Sequence, residues 1–147
     1  MHIFTGGVTD GDRCEAGLIL VKGDFYGTAS GGGAFDDGII FKLDMRGKET
    51  VLYSFAGSPD GASPTGSLVA DGAGNLYGTT LSGGTSNYGT LFRLDGNGTL
   101  SILYNFTGAT DGSGPYAGLV QDASGNLYGT TSAGGTWSFG TVFKLTP

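Results

Sequence analysis

One feature outweighs every other in deciding what this chain can fold into: the sequence repeats itself. Asn75-Leu-Tyr-Gly-Thr-Thr80 returns as Asn126-Leu-Tyr-Gly-Thr-Thr131, 51 positions later. Gly38-Ile-Ile-Phe-Lys-Leu43, Gly89-Thr-Leu-Phe-Arg-Leu94 and Gly140-Thr-Val-Phe-Lys-Leu145 keep the same step. Val51-Leu-Tyr-Ser-Phe55 answers Ile102-Leu-Tyr-Asn-Phe106, and His2-Ile3-Phe4 is the shortened counterpart in the first copy. Tyr26, Tyr77 and Tyr128 complete the register. A period of this length means copies of one supersecondary unit stacked on each other. The 147 residues therefore form a single repeat domain, with units at about 1–49, 50–98 and 99–147.

Within a unit the pattern is that of strands. Gly118-Leu-Val-Gln-Asp122 and Asn126-Leu-Tyr-Gly-Thr130 are short segments split by the turn signal Ala123-Ser124-Gly125. Leu91-Phe-Arg-Leu94 meets Leu100-Ser-Ile-Leu-Tyr-Asn-Phe106 across Asp95-Gly-Asn-Gly98, a turn rich in residues that tolerate positive φ. No segment carries a helical apolar period. The 31 glycines punctuate hairpins, and with 38% hydrophobic and 14% charged residues the chain does not read as disordered. The fold class is all-β, with four strands per unit, a to d in chain order.

Repeated four-stranded units of this length predict the blades of a β-propeller. The β-trefoil, also threefold and four-stranded per unit, is the alternative. Leu68-Val-Ala-Asp-Gly-Ala-Gly-Asn-Leu-Tyr77 and Leu119-Val-Gln-Asp-Ala-Ser-Gly-Asn-Leu-Tyr128 resemble the first hairpin of NHL-type propeller blades. The whole pattern, from Gly-Leu-Val through Gly-Thr-Val-Phe-Lys-Leu to Leu-Tyr-x-Phe, resembles the GloVer tandem repeat of bacterial secreted or surface-anchored proteins, over essentially residues 2–147. That resemblance implies a propeller in an extracellular or cell-surface setting. It implies no activity.

The chain opens on a d-type segment (Ile3-Phe4) and stops after a c-type strand at Leu145. Three blades cannot surround an axis, since propellers begin at about four. The expected resolution is a homodimer of six blades, each N-terminal strand completing the partner's last blade and covering edges that would otherwise aggregate. The other reading is a section of a longer array.

Composition removes several function classes. With 7 basic against 13 acidic residues the net charge is -6, the wrong sign for nucleic acid or an anionic membrane surface. No apolar run approaches the roughly 20 residues of a membrane-spanning helix. Cys14 and His2 are the sole residues of their kinds, which leaves no disulfide framework, cysteine-built zinc site or His-rich centre. P-loop, dinucleotide and Gly-x-Ser-x-Gly patterns are absent.

In an antiparallel meander the d–a and b–c connections share one face. Here they are the long ones, 5–17, 56–67 and 107–117 with 30–38, 81–89 and 132–139, so this face is the expected site. Its b–c loops carry Phe35 and Asp36, Asn87 and Tyr88, and Trp137 and Ser138. Aromatic groups beside polar ones suit stacking on sugar rings, while plugging gaps between blades is the structural alternative. Asp10, Asp60 and Asp111 recur in Asp-Gly pairs of the d–a loops. They are candidates for holding calcium or another divalent cation, or else Asx-type turn residues. His2 reads as structural or exposed.

Two functions follow as expectations. The first is a non-catalytic binding or scaffold propeller recognising carbohydrate or another extracellular partner, with no cofactor required. The second is a metal-dependent hydrolase or lactonase-like enzyme using the three aspartates near the axis, an inference from fold analogy.

Overall fold

The computed structural model describes residues 1–147 and contains strands and turns without a helix. A first sheet joins β2 (Ile19–Val21), β3 (Asp24–Ala29), β5 (Ile39–Leu43) and β6 (Glu49–Ser54) as an antiparallel meander. The second repeats it with β7 (Val69–Ala70), β8 (Leu76–Thr80), β9 (Thr90–Leu94) and β10 (Leu100–Asn105). The third has β11 (Val120–Gln121), β12 (Leu127–Thr130) and β13 (Val142–Leu145), leaving β13 as an uncovered edge. No strand pairs with a strand of another sheet, which excludes the shared barrel of a trefoil.

Two further strands, β1 (Gly11–Asp12) and β4 (Gly31–Gly32), pair the d–a loop of the first unit with its b–c loop. The bridges Ala62 to Ser82 and Ser113 to Ala133 do the same in the other two. Both long loop sets thus lie on one face, as the meander requires.

The core sits between sheets rather than within them. Ile40, Phe55, Leu68, Leu76, Phe92 and Leu94 form one apolar cluster between the first and second sheets. Tyr77, Leu91, Phe106, Leu119 and Leu127 form the next. A phenylalanine following each d strand meets the c-strand phenylalanine of the next sheet, Phe55 on Phe92 and Phe106 on Phe143, both with ring centroids 5.2 Å apart. Such contacts add about 0.5–1.5 kcal/mol to the area they bury. The recurring Tyr-Gly-Thr of strand b now has a reason. Gly78 lacks a Cβ where Phe92 Cζ and Leu68 Cδ2 converge, and Gly27 and Gly129 make the same space under Phe41 and Phe143.

Residues 1–6 form no strand, although Ile3-Phe4 reads as a d strand in the sequence. A strand needs a ladder partner, and this chain has no c strand on that side of the first sheet. Phe4 nonetheless takes the d-type position, its ring 5.0 Å from Phe41.

Candidate functional site

The b–c loops are built alike. Asp36, Asn87 and Ser138 each sit in the left-handed region, with φ of 61°, 60° and 59°. Asp36 Oδ1 accepts the N–H of Gly32 at 3.0 Å, and Asn87 Oδ1 that of Gly83 at 2.9 Å. Asp36 and Asn87 thus hold their loops, a role short Asx side chains perform well at positive φ, while the third loop keeps the same turn through the backbone bond from Ser138 N–H to Gly135. The aromatic residues beside them face outward. Phe35 is 63% exposed, Trp137 80% and Phe139 91%. Tyr88 is half exposed, with its ring lying over Gly108 of the following d–a loop. The expected ligand-facing residues therefore divide: aromatic groups present themselves to solvent, and their polar neighbours shape the backbone that carries them.

The structure does not gather Asp10, Asp60 and Asp111 into a ring, because each carboxylate is bound into its own d–a loop. Asp60 accepts from Tyr53 Oη at 2.6 Å and from the N–H of Ala56 at 3.3 Å. Asp111 accepts from Tyr104 Oη at 3.1 Å and from Thr107, through its N–H at 2.8 Å and its hydroxyl at 2.6 Å. A bulge in β6 and in β10, just before Tyr53 and Tyr104, re-aims those tyrosines. Burial would raise the Asp111 carboxyl, but the Thr107 and Tyr104 bonds outweigh it and hold it low. Ala56 and Thr107 stand four residues before their aspartates and the tyrosines seven, so this is a longer loop clamp than a simple Asx turn. A site needing all three carboxylates on one ion has no basis in this geometry.

Asp10 differs from its counterparts. Thr5 donates to Oδ2 through its N–H and its hydroxyl, both at 2.7 Å, and Gly11 N–H donates to Oδ1 at 2.8 Å. The tyrosine position is occupied by His2, whose Nε2 lies 3.3 Å from Asp10 Oδ1 and 3.4 Å from Glu49 Oε2. Glu49 opens β6 of the first sheet where Leu100 opens β10 of the second. Its side chain is only 8% exposed, and its Oε1 is buried without a hydrogen-bond partner. Burial, with the neighbouring Asp10 adding to it, pushes the Glu49 carboxyl up to about 7. One potential ligand atom from each of His2, Asp10 and Glu49 falls within 4.8 Å of the others, the one such grouping in the chain. Sequence reading passed over Glu49 and set His2 aside. The signal was a column-by-column comparison of the units, in which a tyrosine and a leucine become a histidine and a glutamate.

Cys14 is exposed, and burial of its sulfur with the charges of Glu49, Asp10 and Asp12 pushes its thiol up to about 11. That is the opposite of an activated nucleophile.

Among curated proteins none matches this chain. Among solved structures it is similar to an X-ray structure named as a candidate gluconolactonase, at 18% identity and a TM-score of 0.52. The match covers 88% of this chain and 43% of that one, so the chain spans less than half that protein's length. At this identity the likeness concerns the fold. The sequence model of the Gloeobacter/Verrucomicrobia repeat matches residues 1–147, end to end, and the chain belongs to that repeat family.

Proposed function

We propose that the chain is a non-catalytic binding or scaffold β-propeller unit, working outside the cytoplasm, whose ligand meets the face that carries the b–c loops. The observation behind this reading is the set of exposed aromatic residues, Phe35, Trp137 and Phe139 with the half-exposed Tyr88, on loops held by the Asp36 and Asn87 side chains in the first two cases and by the backbone bonds of Ser138 and Gly140 in the third. Rigid presentation lowers the ordering cost of binding. Flat apolar rings beside hydroxyl and amide groups suit a carbohydrate. Trp137 is the only tryptophan, so its fluorescence reports this face alone. Titration with a panel of neutral and acidic oligosaccharides is expected to give a saturable change that Trp137→Ala abolishes without altering mass in solution. A panel that leaves wild type and variant equally unchanged would remove the carbohydrate reading.

Assembly belongs to the same proposal. Beside β13 runs a cavity of about 240 Å³, lined in part by Tyr104, Phe106, Phe143 and Leu145. Val142 on that edge is 80% exposed. The repeat register brings residues 2–4 of a second copy to this edge, as β10 lies on β9, and two copies then close a six-bladed ring. Light scattering is expected to give twice 14.8 kDa, and a monomer at micromolar concentration would refute the closure.

A further inference from the structure

We infer that His2, Asp10 and Glu49 form a site for one divalent transition-metal cation of the zinc type, joining the N-terminal segment to the first sheet. This stands apart from the carbohydrate proposal and rests on different residues.

The spacing carries it furthest. Donors held about 2.0–2.2 Å from a four-coordinate ion stand about 3.3–3.6 Å from one another. His2 Nε2 is already 3.3 Å from Asp10 Oδ1 and 3.4 Å from Glu49 Oε2. A buried carboxylate oxygen without a partner is costly unless a proton or a cation meets it, and Glu49 Oε1 is such an atom. One imidazole nitrogen with two carboxylates selects zinc, manganese, cobalt or nickel over calcium, which takes six to eight oxygen ligands. Support from behind is also in place, because Thr5 holds the Asp10 carboxylate through two bonds to Oδ2. A fourth position remains for water.

The repeat provides an internal control. At the two equivalent loops Tyr53 and Tyr104 donate to Asp60 and Asp111. Replacing Tyr by His at residue 2 and Leu by Glu at residue 49 puts two ligands around the same aspartate in the first unit alone. His2→Tyr combined with Glu49→Leu therefore rebuilds a pairing that this fold already contains.

The experiment titrates Zn²⁺, Mn²⁺, Co²⁺ and Ca²⁺ into chelator-treated chain carrying no histidine tag. His2 is the only histidine, so its imidazole resonances report the site directly. Expected are one Zn²⁺ per chain, a shift or broadening of those resonances, and a melting midpoint raised by roughly 5–10 °C at a hundred times Kd. Calcium should have little effect. The His2→Tyr/Glu49→Leu double variant should fold and lose the response, and Glu49→Gln should weaken Zn²⁺ binding at least tenfold. No response of the His2 resonances to millimolar Zn²⁺, Mn²⁺ or Co²⁺ would overturn the site. Undiminished binding by either variant would overturn it equally.

Discussion

Gly78 is the position at which the packing between sheets can be tested most sharply. A methyl group there would lie 2.7 Å from Phe92 Cζ and 2.8 Å from Leu68 Cδ2. Phe92 is fully buried and Leu68 nearly so, and neither can swing toward solvent. The backbone of Gly78 is outside the positive-φ region, so alanine meets no conformational penalty. Replacing a strand glycine would by itself gain about 0.5–1 kcal/mol in chain entropy. Overfilling a packed core costs about 1–3 kcal/mol, so Gly78→Ala should destabilise by about 1–2 kcal/mol net. Phe92→Leu removes the ring tip that collides with the new methyl. The double variant should then be more stable than the sum of the singles by about 1 kcal/mol or more, a coupling of the size seen for touching residues. Urea unfolding followed by far-ultraviolet circular dichroism is the assay, because the lone Trp137 is too exposed to report on the core. A neutral or stabilising Gly78→Ala, or an additive cycle, would refute the packing account.

Two other outcomes are expected. Asp60→Ala strips the acceptor from Tyr53 Oη and from the Ala56 N–H and should lower stability by about 1.5–3 kcal/mol in the same unfolding assay. Asp71, although burial would raise it, is held below its ordinary value by Asn75, Tyr77 and the N–H of Gly74. A carboxyl depressed in the folded state contributes stability above its unfolded pKa and loses it as pH falls through the folded value. Unfolding midpoints should therefore drop on acidification over roughly pH 5 to 2, and Asp71→Asn should flatten that drop. An identical acid limb in both proteins would count against the turn network.

Much of the architecture was legible because repetition samples each position more than once. Phenylalanines recur at 41, 92 and 143 and at 4, 55 and 106, and the structure sets each of the second group against one of the first, with Phe41, Phe55, Phe92 and Phe106 buried. The strand-b glycines announced themselves less clearly. Their meaning depends on which ring lies above them, and sequence alone does not say. Tyr53 and Tyr104 were read as strand residues, yet a bulge turns each onto an aspartate, and a one-residue shift of that kind leaves no compositional mark. The candidate site was least legible. His2 and Glu49 are 47 positions apart, and neither fits a ligand motif. What they share is departure from the repeat, and the fold brings those departures together.

The sequence unit and the sheet are out of step: β6 and β10 open the units at about 50–98 and 99–147 but close the sheets that precede them. Each junction between units is therefore crossed by a hydrogen-bonded ladder as well as by a peptide bond. Duplicating or deleting a whole unit leaves the same c edge facing the same d strand, so gene segments of this kind can be gained or lost without any new surface having to evolve.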